Sequence, residues 1–431
     1  MTAKMFARSR FFSTIAALAG AIAVFGCQTH SEGRPQNAHA RNGVGWEHAE
    51  RPREIPAHVQ TAEYLWTPVE RDTDPRLYAP YLTWAYPLYS QAARVRAAGI
   101  KTIFYINPVM PQQGAREYEM LNGRYAAVAA KDCGGNPVST YEGRGLLADP
   151  RSPQAADFYK DTVEYYIREK IRGDRNWDAF FVDNNGALYG ANPLPCNYDP
   201  VAWGRAFDRA IENTRVPIVT NSLAAREEET RKYVDRLSAR NVIGGMFEEC
   251  FNDRMWSAEE TSQIETVSLL RRMRKPPGPG WWCYVNNTSA PAASSIPQRM
   301  FDYASFLLTY DPQYSLFQEA FTTEPSTFKV YPETGFVPLG PASTPKRIDD
   351  LRSDGGAYVQ LFRWCYMRRR PLGSCEVAVN PGGGAVTLPN PLHLSHTMVF
   401  AGGGILDGGT VRFDGGVPTS LAPQTAAILV R

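Results

Sequence analysis

Short apolar runs alternate with helix-patterned stretches from about residue 60 to 325, and most of the runs end in an acid or an amide. The runs at 64–66, 102–106, 145–148, 179–182, 218–220, 242–247, 281–285 and 314–317 are short and apolar and read as strands. Between them, stretches such as 90–98, 155–171, 201–213, 225–238, 258–274 and 297–308 carry helical spacing, with Phe158, Val163 and Tyr166 recurring on one face. This alternation implies βα units and a parallel sheet. Eight units in about 265 residues match a closed (β/α)₈ TIM barrel, predicted over residues 58–325. A doubly wound open sheet is the rival. It would carry a glycine-rich nucleotide loop after an early strand, and neither G-x-G-x-x-G nor G-x-x-x-x-G-K stands there.

From about Glu324 the pattern changes. Gly and Pro punctuate short alternating segments at 357–363, 375–379, 385–388, 396–400, 409–413 and 425–430, which predicts a C-terminal antiparallel β-sandwich over 326–431. At the other end, Lys4, Arg8 and Arg10 precede an apolar run over 11–25. The run is too short for a comfortable membrane span, so residues 1–27 read as a signal peptide and the protein as exported. Its end, Val24-Phe25-Gly26-Cys27, resembles the lipobox of bacterial lipoproteins, which implies lipidation of Cys27 and a membrane anchor. Phe25 is larger than the residue usual at that place, which leaves ordinary signal-peptidase cleavage as the alternative. Residues 28–57 are polar and poor in aliphatics, as a flexible tether is.

Composition removes several functional classes. The net charge is +2, and the basic runs Arg271-Arg272-Met273-Arg274-Lys275 and Arg368-Arg369-Arg370 fit a helix end and a hairpin turn, so no nucleic-acid partner is expected. All six histidines lie outside the proposed barrel strands, and neither H-E-x-x-H nor G-x-S-x-G occurs. A Ser-His-Asp centre or a His-ligated metal therefore lacks its parts, and no cofactor or assigned metal ligand is expected, with a calcium site of carboxylates and carbonyls left open. Six cysteines follow Cys27 without a C-x-x-C pair. Cys365 and Cys375 flank a turn-rich stretch and are predicted to form a cross-hairpin disulfide. Cys133 and Cys196 lie in loop-like surroundings where they can pair. Cys250 and Cys283 read as strand residues and are expected as buried thiols.

In a barrel the reactive groups stand at the C-terminal ends of the strands. Reading those ends gives Asn107, Asp149, Asp183, Asn184, Asn221, Glu248, Glu249, Asn286, Asn287, Gln318 and Glu319, an acidic and amide-rich rim. Asp183 ends the buried strand Ala179-Phe180-Phe181-Val182, and Glu248 ends another in the same register. These two are the catalytic candidates. Asn107, Asp149, Asn184, Asn221, Glu249, Trp281, Asn286 and Glu319 are the candidates for holding substrate. Asp149 precedes Pro150 and a helix, so helix capping is an equal reading. Aromatic residues make up 12% of the chain, and Trp66, Tyr105, Trp256, Trp281 and Trp282 are candidate stacking surfaces. Paired carboxylates on strands four and six, roughly 10 Å apart at the backbone, suit glycosidic cleavage, in which one acid protonates the leaving oxygen.

Phe180-Phe181-Val182-Asp183-Asn184, Leu147-Ala148-Asp149-Pro150-Arg151-Ser152-Pro153 and Gly244-Gly245-Met246-Phe247-Glu248 resemble the hypothetical glycosyl hydrolase barrel families. Those are distantly similar to endo-α-1,4-polygalactosaminidases and to α-galactosidase-like and α-amylase-like barrels. The resemblance implies a carbohydrate substrate, Asp183 as nucleophile or base, and Glu248 as acid. The pattern Tyr358-Val359-Gln360-Leu361-Phe362-Arg363, then Val377-Ala378-Val379-Asn380-Pro381, then 425–430 resembles the β-domain that follows such barrels. The rival expectations are a non-catalytic carbohydrate-binding lipoprotein and a structural barrel of the cell envelope.

Overall fold

The computed structural model describes residues 52–170, 177–183, 193–221, 236–248, 250, 251, 254, 256, 262–287, 295–321 and 329–431. Eight parallel strands close into a barrel in sequence order. They are β1 (Gln60–Leu65), β2 (Trp84–Pro87), β3 (Lys101–Ile106), β4 (Ala179–Val182), β5 (Ile218–Thr220), β6 (Val242–Glu248), β7 (Gly280–Asn287) and β8 (Ser315–Phe321). Closure comes from β8 pairing with β1 through Gln60↔Leu316 and Thr61↔Phe317.

One strand differs from the expectation. The run 145–148 is not part of the barrel: Gly145–Leu146 pairs antiparallel with Ser139–Thr140 in a small hairpin of the loop after β3. The second barrel strand is Trp84–Pro87, paired to β1 and β3. It is four residues long and ends in proline, too short for alternation to show in the sequence.

Around the barrel stand α1 (Ala92–Ala97), α2 (Arg116–Asn122), α3 (Ala155–Tyr165), α4 (Pro200–Glu212), α5 (Gln263–Arg272) and α6 (Ser295–Leu307). The start of α4 shows how such a helix is set. Asp199 caps it by accepting from the Ala202 N–H at 2.6 Å, and Pro200 occupies the first turn, where no N–H is needed. Trp203, Phe207 and Ile211 then fall on one buried face. Most of the helix predicted at 225–238 lies outside the described residues.

Strand alternation separates two cores. Phe180, Val182, Phe247, Trp281 and Phe317 face outward into a core shared with the helices. Ala62, Trp84, Tyr86, Ile103, Ala179, Phe181, Val219, Met246, Trp282, Tyr284, Leu316 and Ala320 face the lumen. The glycine at 244 has a steric cause. A Cβ there would stand 2.5 Å from the backbone nitrogen of Gly280 on the neighbouring strand. Gly280 itself has φ +56, a left-handed conformation that glycine takes without cost.

After the barrel come β9 (Phe336–Pro341), β10 (Tyr358–Met367), β11 (Arg370–Asn380), β12 (His396–Ala401), β13 (Thr410–Gly415) and β14 (Thr425–Val430). They form an antiparallel sheet in the order β9-β10-β11-β14-β12-β13. One face carries Val377, Val379, Ile428 and Val430 into the core shared with the barrel helices, and α6 lies against β11 and β14. The opposite face, with Ala378, Ala427 and Leu429, is covered by Leu388, Leu394 and Leu421. A two-stranded ribbon, Val386–Thr387 with Ser420–Leu421, runs through that second layer. Arg299 of α6 forms a two-pronged ion pair with Glu333, just before β9, at 2.7 and 2.6 Å, and neither side chain is exposed.

Among the described residues three disulfides are present: Cys365–Cys375, Cys133–Cys196 and Cys250–Cys283. The last corrects the expectation of two free thiols. The Cys250 N–H donates to the Tyr284 carbonyl at 3.0 Å, which prolongs the β6–β7 ladder and sets Cys250 beside Cys283. Disulfides suit an exported protein. Among the described residues no helix is long and apolar enough to cross a membrane. Cys27 and the leader lie outside the described residues.

Candidate active site

The C-terminal mouth of the barrel is built on an aromatic floor. Tyr64 of β1 packs at 4.9 Å between ring centroids against both Trp66 and Tyr86, and at 5.6 Å against Tyr284. Tyr86 in turn meets Phe181 at 5.5 Å and Trp282 at 5.4 Å. Trp66 and Tyr105 rise above this floor at the rim, 41% and 39% exposed, with their rings 6.1 Å apart.

Asp183 follows β4 directly. Ala179 and Phe181 face the lumen, so alternation brings Asp183 over the same space. Its Oδ2 accepts from the Tyr105 hydroxyl and its Oδ1 from the Asn221 amide, each at 2.5 Å. Tyr105 is the last residue but one of β3 and Asn221 follows β5, so the flanking strands each hold one oxygen of the acid. Withdrawal from water, and then the charge of Asp183, push the Tyr105 hydroxyl well above its ordinary pKa. It therefore remains a donor.

Glu248 ends β6 two residues after the lumen-facing Met246, exposed at the mouth. Its row neighbour on β7 is Tyr284, whose own neighbour on β8 is Gln318. Burial pushes the hydroxyls of Tyr64 and Tyr86 well above their usual pKa, and the charges of Glu248 and Asp183 push each further in the same direction. The two acids thus act on one pair of tyrosines beneath them.

The other predicted site residues divide. Asn107 is buried and organises the loop after β3, accepting from the Met110 N–H at 3.0 Å and donating to Tyr141 at 3.3 Å. Asp149 follows the small hairpin rather than a barrel strand. It accepts from the Arg151 backbone at 2.8 Å and from its guanidinium, which in turn holds the carbonyls of Cys196 and Asn197. That is a loop-fixing ion pair. Trp281 is fully buried on the outer face, between Phe247 at 5.3 Å and Phe306 of α6 at 6.4 Å, so it offers no stacking surface. Trp282 beside it faces the lumen, and Trp256 packs against Tyr358 of β10 at 4.7 Å. Glu319 is buried and, by alternation with the lumen-facing Leu316 and Ala320, points outward. The inward residue of that strand end is Gln318. Asn286 keeps its place in the ladder opposite Ala320. Asn184 and Glu249 lie outside the described residues.

Among the described residues no three His, Cys, Asp or Glu side chains come together as a metal site. What the arrangement offers is acid–base or nucleophilic carboxylate chemistry over an aromatic, uncharged floor. The role of Tyr105 as partner of Asp183 had one sequence signal, a tyrosine one position before the end of the strand Lys101–Ile106.

No protein-family model and no curated protein sequence matches the chain. Among solved structures it is similar to a maltogenic α-amylase from Thermotoga neapolitana, with 8% identity over 87% of this chain and 99% of that one, at a TM-score of 0.43. A GH27 β-L-arabinopyranosidase from Geobacillus stearothermophilus is similar at 10% identity over 90% of this chain and 98% of that one, TM-score 0.44. The glycoside hydrolase domain of PelA from Pseudomonas aeruginosa is similar at 10% identity over 62% and 95%, TM-score 0.38. These neighbours are glycoside hydrolases. The (β/α)₈ barrel itself rests on the strand order of this chain.

Proposed function

We propose that the protein is an exported glycoside hydrolase acting on a poly- or oligosaccharide, with Asp183 as nucleophile or base and Glu248 as general acid. The supporting observation is the placement of two carboxylates, from β4 and β6, over one aromatic floor at the C-terminal mouth of the barrel. A sugar needs both parts: flat apolar faces to lie on and two acids flanking the scissile bond. Asp183 accepts one hydrogen bond on each oxygen, from Tyr105 and from Asn221, which holds its orientation. Glu248 stands more openly, as a proton donor to a departing oxygen does.

A hydrolysis screen of the mature protein on neutral and charged glycans tests this reading. Asp183→Asn and Glu248→Gln should each fold like the parent and lose at least about a hundredfold in turnover. Near-parental rates in both variants would overturn it. For export, we propose that Cys27 is the lipidated N-terminus of the mature protein. Intact-mass analysis of the native protein should find an acylated chain beginning at Cys27, and a mature terminus elsewhere without acyl chains would refute this.

A further inference from the structure

A cavity of about 240 Å³ lies on the flank of the barrel, between α2 and the end of α3. Because α3 runs back from the mouth towards the start of β4, the cavity stands apart from the two acids, and no residue of the mouth lines it. Three arginines converge on it: Arg116 of α2, Arg124 just beyond that helix, and Arg168 of the π-helical turn Tyr166–Lys170 after α3. Turns of that kind are rare and recur at functional sites. Two carboxylates orient two of the arginines. Arg116 donates to Glu119 at 2.8 Å and lies 5.1 Å over the Tyr165 ring. Arg124 pairs with Asp161 at 2.9 Å, and the Tyr125 hydroxyl donates to the same carboxylate oxygen at 2.5 Å. Arg116 and Arg124 are 46% and 75% exposed, and ion pairs so exposed contribute little, so their guanidinium groups stay available to a ligand. Arg168 is exposed and makes no ion pair among the described residues; Glu164, one turn before it, pairs with Lys160 at 3.7 Å.

The chemistry of this cavity selects its ligand. Guanidinium forks match a carboxylate, sulfate or phosphate through paired N–H donors. Three cations and two acids line the wall, which leaves one positive charge over and suits a singly charged group. Tyr165 and Met120 add an apolar patch to the same wall, a surface for the C–H face of a sugar ring. The volume lies below the about 300–1,000 Å³ of drug-sized pockets, so it takes one small unit. A membrane surface is the poorer match, because such surfaces attract clusters of about four to eight basic residues, and here one charge is in surplus. We infer that this cavity is a glycan-binding site outside the barrel mouth. It holds one uronate unit of an acidic glycan, with the carboxylate between Arg116 and Arg168 and the ring against Tyr165. The site goes beyond the hydrolytic reading and stands without it, since the two share no residue.

Titration calorimetry of the intact protein with galacturonate oligomers tests this, beside neutral galactose oligomers, inorganic phosphate and vesicles of anionic phospholipid. The galacturonate oligomers should bind saturably and the other three probes should not. Arg116→Gln and Arg168→Gln should each weaken that binding at least about fivefold, because each removes a charged donor from the carboxylate. Their melting temperatures should match the parent's, since neither arginine holds a buried partner. Equal or tighter binding of neutral oligomers, phosphate or vesicles, or no binding of any probe, overturns the inference. So does galacturonate binding that either substitution leaves intact, which would put it elsewhere, the mouth included. Failure of the glycosidase reading shows separately, as absence of turnover in the hydrolysis screen, and leaves the outcome of this titration unaffected.

Discussion

The Tyr105 hydroxyl donates to Asp183 Oδ2 at 2.5 Å, joining the ends of two adjacent barrel strands, β3 and β4. With the Asn221 amide on the other oxygen, it fixes the plane of the carboxylate. Hydrogen bonds to charged groups contribute about 1.5–3 kcal/mol each. Tyr105→Phe should therefore reduce kcat/KM about tenfold to a hundredfold without changing the circular dichroism spectrum. Asn221→Ala should do the same. Because both donors hold one group, the double variant should lose less than the product of the two single losses. Losses that simply multiply would show that the two donors act independently.

The sheet beyond the barrel holds an unpartnered acid. Glu376 of β11 is fully buried, neither carboxylate oxygen has a hydrogen-bond partner, and burial pushes its pKa from 4.5 up to about 8. An acid raised on folding contributes full stability below its unfolded pKa and loses it as pH rises towards the folded value. Stability should therefore fall as the pH rises from about 5 to 8 and beyond, by roughly 5 kcal/mol if the whole shift is expressed. Glu376→Gln should flatten this profile and raise the melting temperature most at the alkaline end. Parallel melting profiles for parent and variant across that range would show that Glu376 ionises as freely as in the unfolded chain.

Arg299 and Glu333 tie the last barrel helix to the segment that enters the C-terminal sheet, and Arg299 also lies 4.1 Å over the Tyr331 ring. Breaking a buried pair from one side leaves an uncompensated charge and costs about 3–5 kcal/mol. Arg299→Met should lower the urea midpoint accordingly. Arg299→Met with Glu333→Leu should recover much of the loss, because the apolar pair removes the stranded carboxylate. If the double variant were as unstable as the single one, packing by the guanidinium, not its charge, would be the main contribution.

The barrel was legible because its strands repeat one rule, an apolar run ending in a polar residue, and Ala179–Val182 and Val242–Glu248 obey it fully. Trp84–Pro87 broke the rule by brevity, and the run at 145–148 imitated it in a loop hairpin. Asp183 and Glu248 were found because a strand end names its own residue. Which neighbour faces the lumen depends on register, and sequence alone did not place Gln318 inward and Glu319 outward. Tyr105, Tyr86 and Trp282 look like core aromatics in sequence. Only closure of the barrel brings them together around the acids.

Cys250 follows Glu248 by two residues, and its disulfide to Cys283 anchors the outgoing loop to β7 on the side away from the lumen. The backbone bond from Cys250 to the Tyr284 carbonyl continues the ladder past Glu248, so the acid leaves the barrel from a segment held at both ends. A closed loop with a sequence separation of 33 residues should contribute about 3–4 kcal/mol by restricting the unfolded chain. Cys250→Ala with Cys283→Ala should lower stability by that order. It should also reduce kcat by more than about tenfold with a smaller change in KM, because a misplaced acid loses transition-state contacts before it loses ground-state ones. The same double change at Cys365 and Cys375, in the β10–β11 hairpin far along the chain from the acids, should lower stability and leave kcat unchanged. Measuring kcat for both variants well below their melting temperatures separates positioning from stability. Equal kcat in the two would mean that the Cys250–Cys283 bond stabilises the barrel without aligning Glu248.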